Sequence, residues 1–178
     1  MSGAENSKTR WTFSQRFIAD VVPRASVRST VTYRLTPRLQ AGIEVNPRAE
    51  KDGSKVGPIA NLLAVTETLK RPAVILGTSS DRIGTPYGQA FYITASKNLK
   101  RETKLPIAPY GGVVYGTYQD RFRPIGGLNI GFTEQLTSLV IFDGVHVHPL
   151  LNYSYKQHAF SFILVRGKHP GVSYSIAF

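Results

Sequence analysis

The sequence predicts an all-β fold: a closed antiparallel transmembrane β-barrel of about twelve strands, with short turns at one end. Three observations predict it. Short runs of alternating apolar and polar residues follow one another along the chain, each bounded by turn-forming residues. The composition, with 16 Gly, 11 Pro, 9 Phe, 9 Tyr and one Met, favours strands and turns over helices. The last eight residues, Gly171-Val-Ser-Tyr-Ser-Ile-Ala-Phe178, place Val172, Tyr174, Ile176 and Phe178 on one face and Ser173, Ser175 and Ala177 on the other. An apolar series that runs to a terminal aromatic suits lipid and an interfacial girdle, whereas ends facing water usually fray.

The elements follow in order. After a flexible tail over 1–10, the barrel occupies 11–178. The first run spans Trp11 to about Asp20 and ends at Val22-Pro23-Arg24. The second, Ser26 to Leu35, sets Val27, Val31, Tyr33 and Leu35 against Arg28, Thr30, Thr32 and Arg34. Thr36-Pro37 turns it into Arg38 to Asn46, where Leu39, Ala41, Ile43 and Val45 alternate with Arg38, Gln40, Gly42 and Glu44. Residues 47–58 are polar and form the longest loop. Ile59 to Leu69 alternates poorly, and Asn61 to Lys70 would also suit a short helix. Ala73 to Ser79, a loop over Ser80 to Gly88, and Gln89 to Lys97 come next. A basic connector covers Asn98 to Pro106. Ile107 to Gln119 is rich in Gly and Tyr, which suits a curved wall. Ile125 to Thr133 follows a turn over Gln119 to Pro124. Leu136 to Phe142 meets Asp143-Gly144, a two-residue hairpin signal. Val145 to Tyr155, Ala159 to Arg166 and the terminal strand complete the count.

Twelve is even, as single-chain bacterial barrels have it. With the first strand running outward, the connections at 21–25, 47–58, 80–88, 119–124, 143–144 and 166–171 share one end. They are longer on average than those at the other end and carry many of the basic residues. Arg28, Arg34, Arg38, Glu44, His146 and His148 are expected to line the lumen. The opposite faces of these strands are apolar and are expected to meet lipid.

The balance of 22 Lys and Arg against 11 Asp and Glu gives a net charge of +11, which points to a polyanionic partner. Nucleic acid is not expected, because no basic helix, zinc spacing or aromatic RNA-binding motif accompanies the charge. Lipopolysaccharide phosphates beside the outer loops are the expected partner. No apolar window reaches the ~18–20 residues of a spanning helix. Barrel strands need only about 9–11 residues, half of them apolar, so a mean hydropathy of −0.13 fits lipid-out, water-in alternation. The chain has no cysteine, as suits an oxidising envelope. Met1-Ser-Gly-Ala-Glu-Asn-Ser-Lys8 has no apolar h-region, so an export signal is expected to have been removed and a start Met added.

Val172, Tyr174, Ile176 and Phe178 resemble the C-terminal assembly signal of bacterial outer-membrane barrels, which the insertion machinery reads. That resemblance implies residence in the outer membrane. Pro72-Ala-Val-Ile-Leu-Gly77 and Gly84-Thr85, with Ala95-Ser-Lys97, resemble segments of the YjbH-like outer-membrane barrels linked to exopolysaccharide secretion. The likeness is confined to 72–97, and members of that group are much longer, so it implies the barrel class and not a shared activity.

Candidate chemistry is sparse. His146 and His148 share a strand face with Asn152 and Ser154, which as a catalytic set would make an outer-membrane lipid hydrolase. Six residues of strand separate His148 from Ser154 by about 20 Å, out of hydrogen-bond reach. The same histidines with Asp143 and His169 have the residue types of a metal site, but polar lumen residues bonded to their neighbours are the plainer reading. No Gly-rich phosphate loop is present. No metal or cofactor is expected, and a non-enzymatic barrel is. It would act as a small passive channel, or as a structural barrel with envelope proteins as partners. A soluble ligand-binding barrel is the alternative, with the apolar faces turned inward.

Overall fold

The computed structural model describes residues 9–50 and 55–178. Twelve strands form a single closed antiparallel barrel in which each pairs with its sequence neighbours and the last pairs with the first. They are β1 (Trp11–Ile18), β2 (Val27–Arg34), β3 (Leu39–Val45), β4 (Val56–Val65), β5 (Ala73–Ser80) and β6 (Gln89–Ser96). The second half is β7 (Ile107–Gly116), β8 (Arg121–Gly131), β9 (Leu136–Phe142), β10 (Val147–Tyr155), β11 (His158–Val165) and β12 (His169–Ala177). Two four-residue helices, α1 (Pro23–Ser26) and α2 (Lys100–Thr103), sit in connections. Closure leaves no strand edge with unpaired backbone groups. It is sealed by Phe178, whose N–H donates to the Trp11 carbonyl at 3.0 Å while its own carbonyl accepts from Trp11 at 2.9 Å.

The two faces of the wall differ sharply. Phe17, Ile43, Phe91, Phe162 and Val172 are about half exposed on the outside, and the pairings put Val27, Val31, Val113, Leu151 and Tyr174 on the same face. All six acidic or basic residues within the strands (Arg16, Arg28, Arg34, Glu44, Arg121 and Arg123) fall on the inner face. The inner face is otherwise rich in Gly, Ser, Thr and Asn. Inward glycines give the room that tyrosines use. A Cβ on Gly77 would lie 2.4 Å from the Tyr92 ring, and one on Gly127 would lie 2.6 Å from the Tyr110 ring. Each ring therefore occupies the space that a side chain at the glycine would need.

The packed apolar core is small and sits at one mouth. Ile18, Ile163 and Val165 are buried there, with Val21, Ile83 and Leu150 packed on them. This is the end at which β1 finishes, the loop end. The other, the turn end, carries both chain termini of the barrel.

Several boundaries differ from the sequence expectations. Prolines and arginines that read as turns lie inside strands: Val56-Gly-Pro58 begins β4, Arg121 to Pro124 begins β8, and His169-Pro170 begins β12. Each of these segments keeps the in-out alternation, and a wet inner face accepts arginine where a packed core would not. The helix considered over Asn61 to Lys70 does not form, and the poor alternation there reflects a register shift between Leu63 and Val65. Asp143 to His146 forms a four-residue loop, not a two-residue turn, because the Asp143 carboxylate accepts the N–H groups of Val145 and His146 at 2.9 and 2.8 Å. Residues 1–8 of the expected tail lie outside the described residues. Arg10 is tied down, donating to the Tyr33 hydroxyl at 3.2 Å and to the Phe178 carbonyl at 3.0 Å.

The two ends differ less in loop length than the sequence suggested, since 97–106 matches the longest loop. The basic residues also divide differently. At the turn end Lys70 and Arg71 of the β4–β5 connection lie beside Lys97, Lys100, Arg101 and Lys104 of the β6–β7 connection. Lys97 joins the two by donating to the Thr68 and Leu69 carbonyls at 2.5 and 2.9 Å. The turn end is thus at least as basic as the loop end.

Candidate functional site

The charged residues of the inner wall gather under the loop-end mouth. Antiparallel pairing sets Arg16 of β1 directly opposite Arg28 of β2. Like charges placed so are unfavourable unless compensated. Arg28 forms an ion pair with Glu44 of β3, whose side chain is 1% exposed against 19% for Arg28. Asn46 also donates to Glu44, at 3.4 Å. The Arg16 side chain forms no hydrogen bond or ion pair among the described residues, and the Nε atoms of Arg16 and Arg28 are buried without partners.

A third arginine enters from the mouth. The β1–β2 connection folds inward as α1, burying Arg24, Ala25 and Ser26. Pro23 at the start of α1 has no N–H to satisfy, and the Ser26 hydroxyl donates to the Pro23 carbonyl at 2.7 Å. The Arg24 guanidinium reaches the β5–β6 loop. Its Nε donates to the Thr85 carbonyl at 2.7 Å, and one Nη donates at 2.9 Å to the carbonyls of Asp81 and Arg82 and to Thr85 Oγ1. Charge-assisted bonds to several carbonyls make a strong clip. Beneath it lies a cavity of about 310 Å³ lined by Arg24, Glu44, Asn46, Tyr87 and Gln89. A second, of about 180 Å³, is lined by Tyr92, Tyr110, Arg121, Arg123 and Asp143.

The residues singled out from sequence are dispersed. Arg28 and Glu44 meet, and Arg34 lies on the inner face at the turn end opposite Gln40. Arg38 is not on the wall. It is exposed in the β2–β3 turn, where Thr36 Oγ1 accepts the N–H groups of Arg38 and Leu39 at 3.2 and 3.0 Å. His146 is in the β9–β10 loop, and His148 is buried on β10 with 2% exposure. In the terminal strand, Tyr174 and Ile176 pair on the outer face and Ser175 bonds inward to Ser14 at 2.7 Å. Arg16 and Arg24 were not singled out. Arg16 was legible, since it alternates with Phe13 and Phe17. Arg24 was not, because nothing local shows that its loop folds inward.

His148 holds the β9–β10 loop to the β11–β12 loop. Its Nδ1 accepts the Arg166 N–H at 3.2 Å, which places the ring proton on Nε2, 2.9 Å from Asp143 Oδ2. Both ring nitrogens are engaged, leaving none for a nucleophile or a metal. Among the described residues no three His, Asp or Glu side chains gather as a metal site. Burial opposes ionisation of Asp143, but the His148 bond and the N–H groups of His146 and Val145 outweigh it and hold the carboxyl below its usual range. A depressed carboxylate stabilises the fold above its unfolded pKa and loses that contribution as pH falls through the folded one. Hydrogen-exchange protection at Val145 and His146 is therefore expected to drop below about pH 4, and to be weak at all pH values in Asp143→Ala, which has no acceptor there. Equal protection at pH 7 and pH 3 would contradict this.

Comparison with protein-family models gives no match, and comparison with curated proteins gives none.

Proposed function

We propose that the protein is a non-enzymatic integral barrel of the bacterial outer membrane that acts as a narrow passive channel with a preference for anions. The observation that carries this is the segregation of charge: the strands hold no Lys, Arg, Asp or Glu on the outer face and six on the inner. Water imposes no such rule on an outer surface, whereas hydrocarbon does. Strands of mostly 8–10 residues, rising about 3.3 Å per residue at a tilt near 40°, give an apolar band of ~20–25 Å, close to that of outer-membrane barrels. Trp11 and Tyr33, with ring centroids 4.7 Å apart, stand with exposed Phe132, Tyr155 and Phe178 around the turn end as an aromatic girdle. A soluble ligand-binding barrel would turn its apolar face inward, and this inner face is polar. The likeness of 72–97 to YjbH-like barrels agrees with an envelope setting.

In this reading the turn end faces the periplasm, and the terminal strand ending at Phe178 is the segment handled by the insertion machinery. Exposed Arg48, Lys55, Arg166 and Lys168 at the loop end stand beside lipopolysaccharide phosphates. The turn-end lysines and arginines stand beside phospholipid headgroups. Anion preference follows from the excess of arginine over glutamate along the inner wall.

The α1 plug favours a second reading, a closed structural barrel that anchors an envelope assembly. Planar-bilayer recording separates the two. Arg24→Ala removes the clip to the β5–β6 loop, and the variant is expected to show more frequent or larger anion-selective steps than the unmodified barrel. Silence from both proteins, with envelope proteins copurifying in mild detergent, would overturn the channel and leave the structural barrel.

A further inference from the structure

Arg16, Arg28 and Arg24 converge inside the barrel with Glu44 as the only acid acting on Arg16 among the described residues. Glu44 is already engaged by Arg28 and Asn46 and by Ser80. Arg24 spends its donors on loop carbonyls and the Thr85 hydroxyl, which hold it in place, and both Glu44 and Asp81 act on its charge. The cluster thus has three guanidinium groups around Glu44, with Asp81 acting on Arg24 from the loop. Arg16 is the member whose side chain has no partner among the described residues, set by strand register against another arginine. Buried charges are ordinarily paired, and an arginine so placed has a cost unless something else supplies the partner. Arg16 as a whole is only partly buried, so the part of its guanidinium beyond the buried Nε opens to the lumen.

We infer that the lumen holds a specific site for a small oxyanion, a phosphate or carboxylate group, between Arg16 and Arg28. The chemistry matches the residues. Guanidinium presents parallel N–H donors to two oxygens of one anion. Arg16 offers such a fork, and Arg28 on the adjacent strand, with one Nη held by Glu44, adds the donors of its other Nη. Chloride, a single sphere, would use this geometry less well. The site depends on the barrel and not on conduction: binding without conductance would keep the site and remove only the channel.

The test uses the full chain refolded in a zwitterionic detergent free of phosphate. Equilibrium dialysis against labelled inorganic phosphate is expected to give one saturable phosphate per barrel. Acetate should compete for it, and chloride at equal ionic strength should compete far less. Phosphate should raise the urea midpoint of the unmodified protein saturably. Arg16→Gln, which strands no partner, should lose the bound phosphate and the midpoint shift, and should have the higher midpoint of the two proteins in phosphate-free buffer. Arg16→Lys, which keeps the charge but not the fork, should bind more weakly than the unmodified protein and more tightly than Arg16→Gln. No stoichiometric phosphate on the unmodified barrel would overturn the site, as would equal binding by Arg16→Gln.

Discussion

Val172→Arg is expected to cripple assembly in lipid, whereas Ser175→Arg, three residues away on the same strand, should be tolerated. Val172 is outward, 54% exposed and near mid-height of β12. Lipid there would have to solvate a guanidinium, at about 2–4 kcal/mol near the midplane. Ser175 points inward and bonds Ser14. Replacing it forfeits one hydrogen bond, about 1 kcal/mol, and sends the new charge into a polar lumen. Refolding into phospholipid vesicles, followed by urea titration, compares the two. In detergent micelles, which deform around a charge, the gap should shrink. Should Ser175→Arg prove the more damaging in vesicles, the outer face does not meet lipid and the soluble barrel regains ground.

The second large effect is expected at Glu44. Glu44→Gln removes the carboxylate that pairs with Arg28 and acts on Arg16 and Arg24, leaving Asp81 to act on Arg24. Breaking a buried pair by removing one partner costs roughly 3–5 kcal/mol, and the partial exposure of Arg28 puts this case at the low end. Arg28→Gln with Glu44→Gln should cost less than the two single changes added together, because the double variant leaves neither partner stranded. Urea midpoints in detergent give all three values. A loss under about 1 kcal/mol for Glu44→Gln would mean that lumen water screens the cluster as it does a surface pair, and phosphate binding at Arg16 would then be weak as well.

Much of the wall was legible because strand alternation is local. Arg28, Thr30 and Thr32 against Val27, Val31 and Tyr33 needs no distant contact to be read. The same period places Arg16 beside Ser14 and opposite Phe13 and Phe17. Where the sequence misled, a residue type stood in for a conformation. Pro58, Pro124 and Pro170 look like breaks but occupy strand positions, and Arg121 and Arg123 look like loop residues but face a wet interior. Asp143-Gly144 looks like a tight hairpin, yet the aspartate is used to cap two N–H groups further on.

By itself, then, the sequence determined the strands, their inner and outer faces and the even count, since each depends on neighbours two residues apart. Only the tertiary structure decided which arginines meet. Arg16 faces Arg28 because of strand register, and Glu44 reaches Arg28 from a third strand, 16 residues along the chain. Arg24 ties α1 to the β5–β6 loop through bonds to residues 57 to 61 positions away. No local pattern specifies such pairings, because they exist only once the sheet has curled and closed and the loops have turned into the space it encloses.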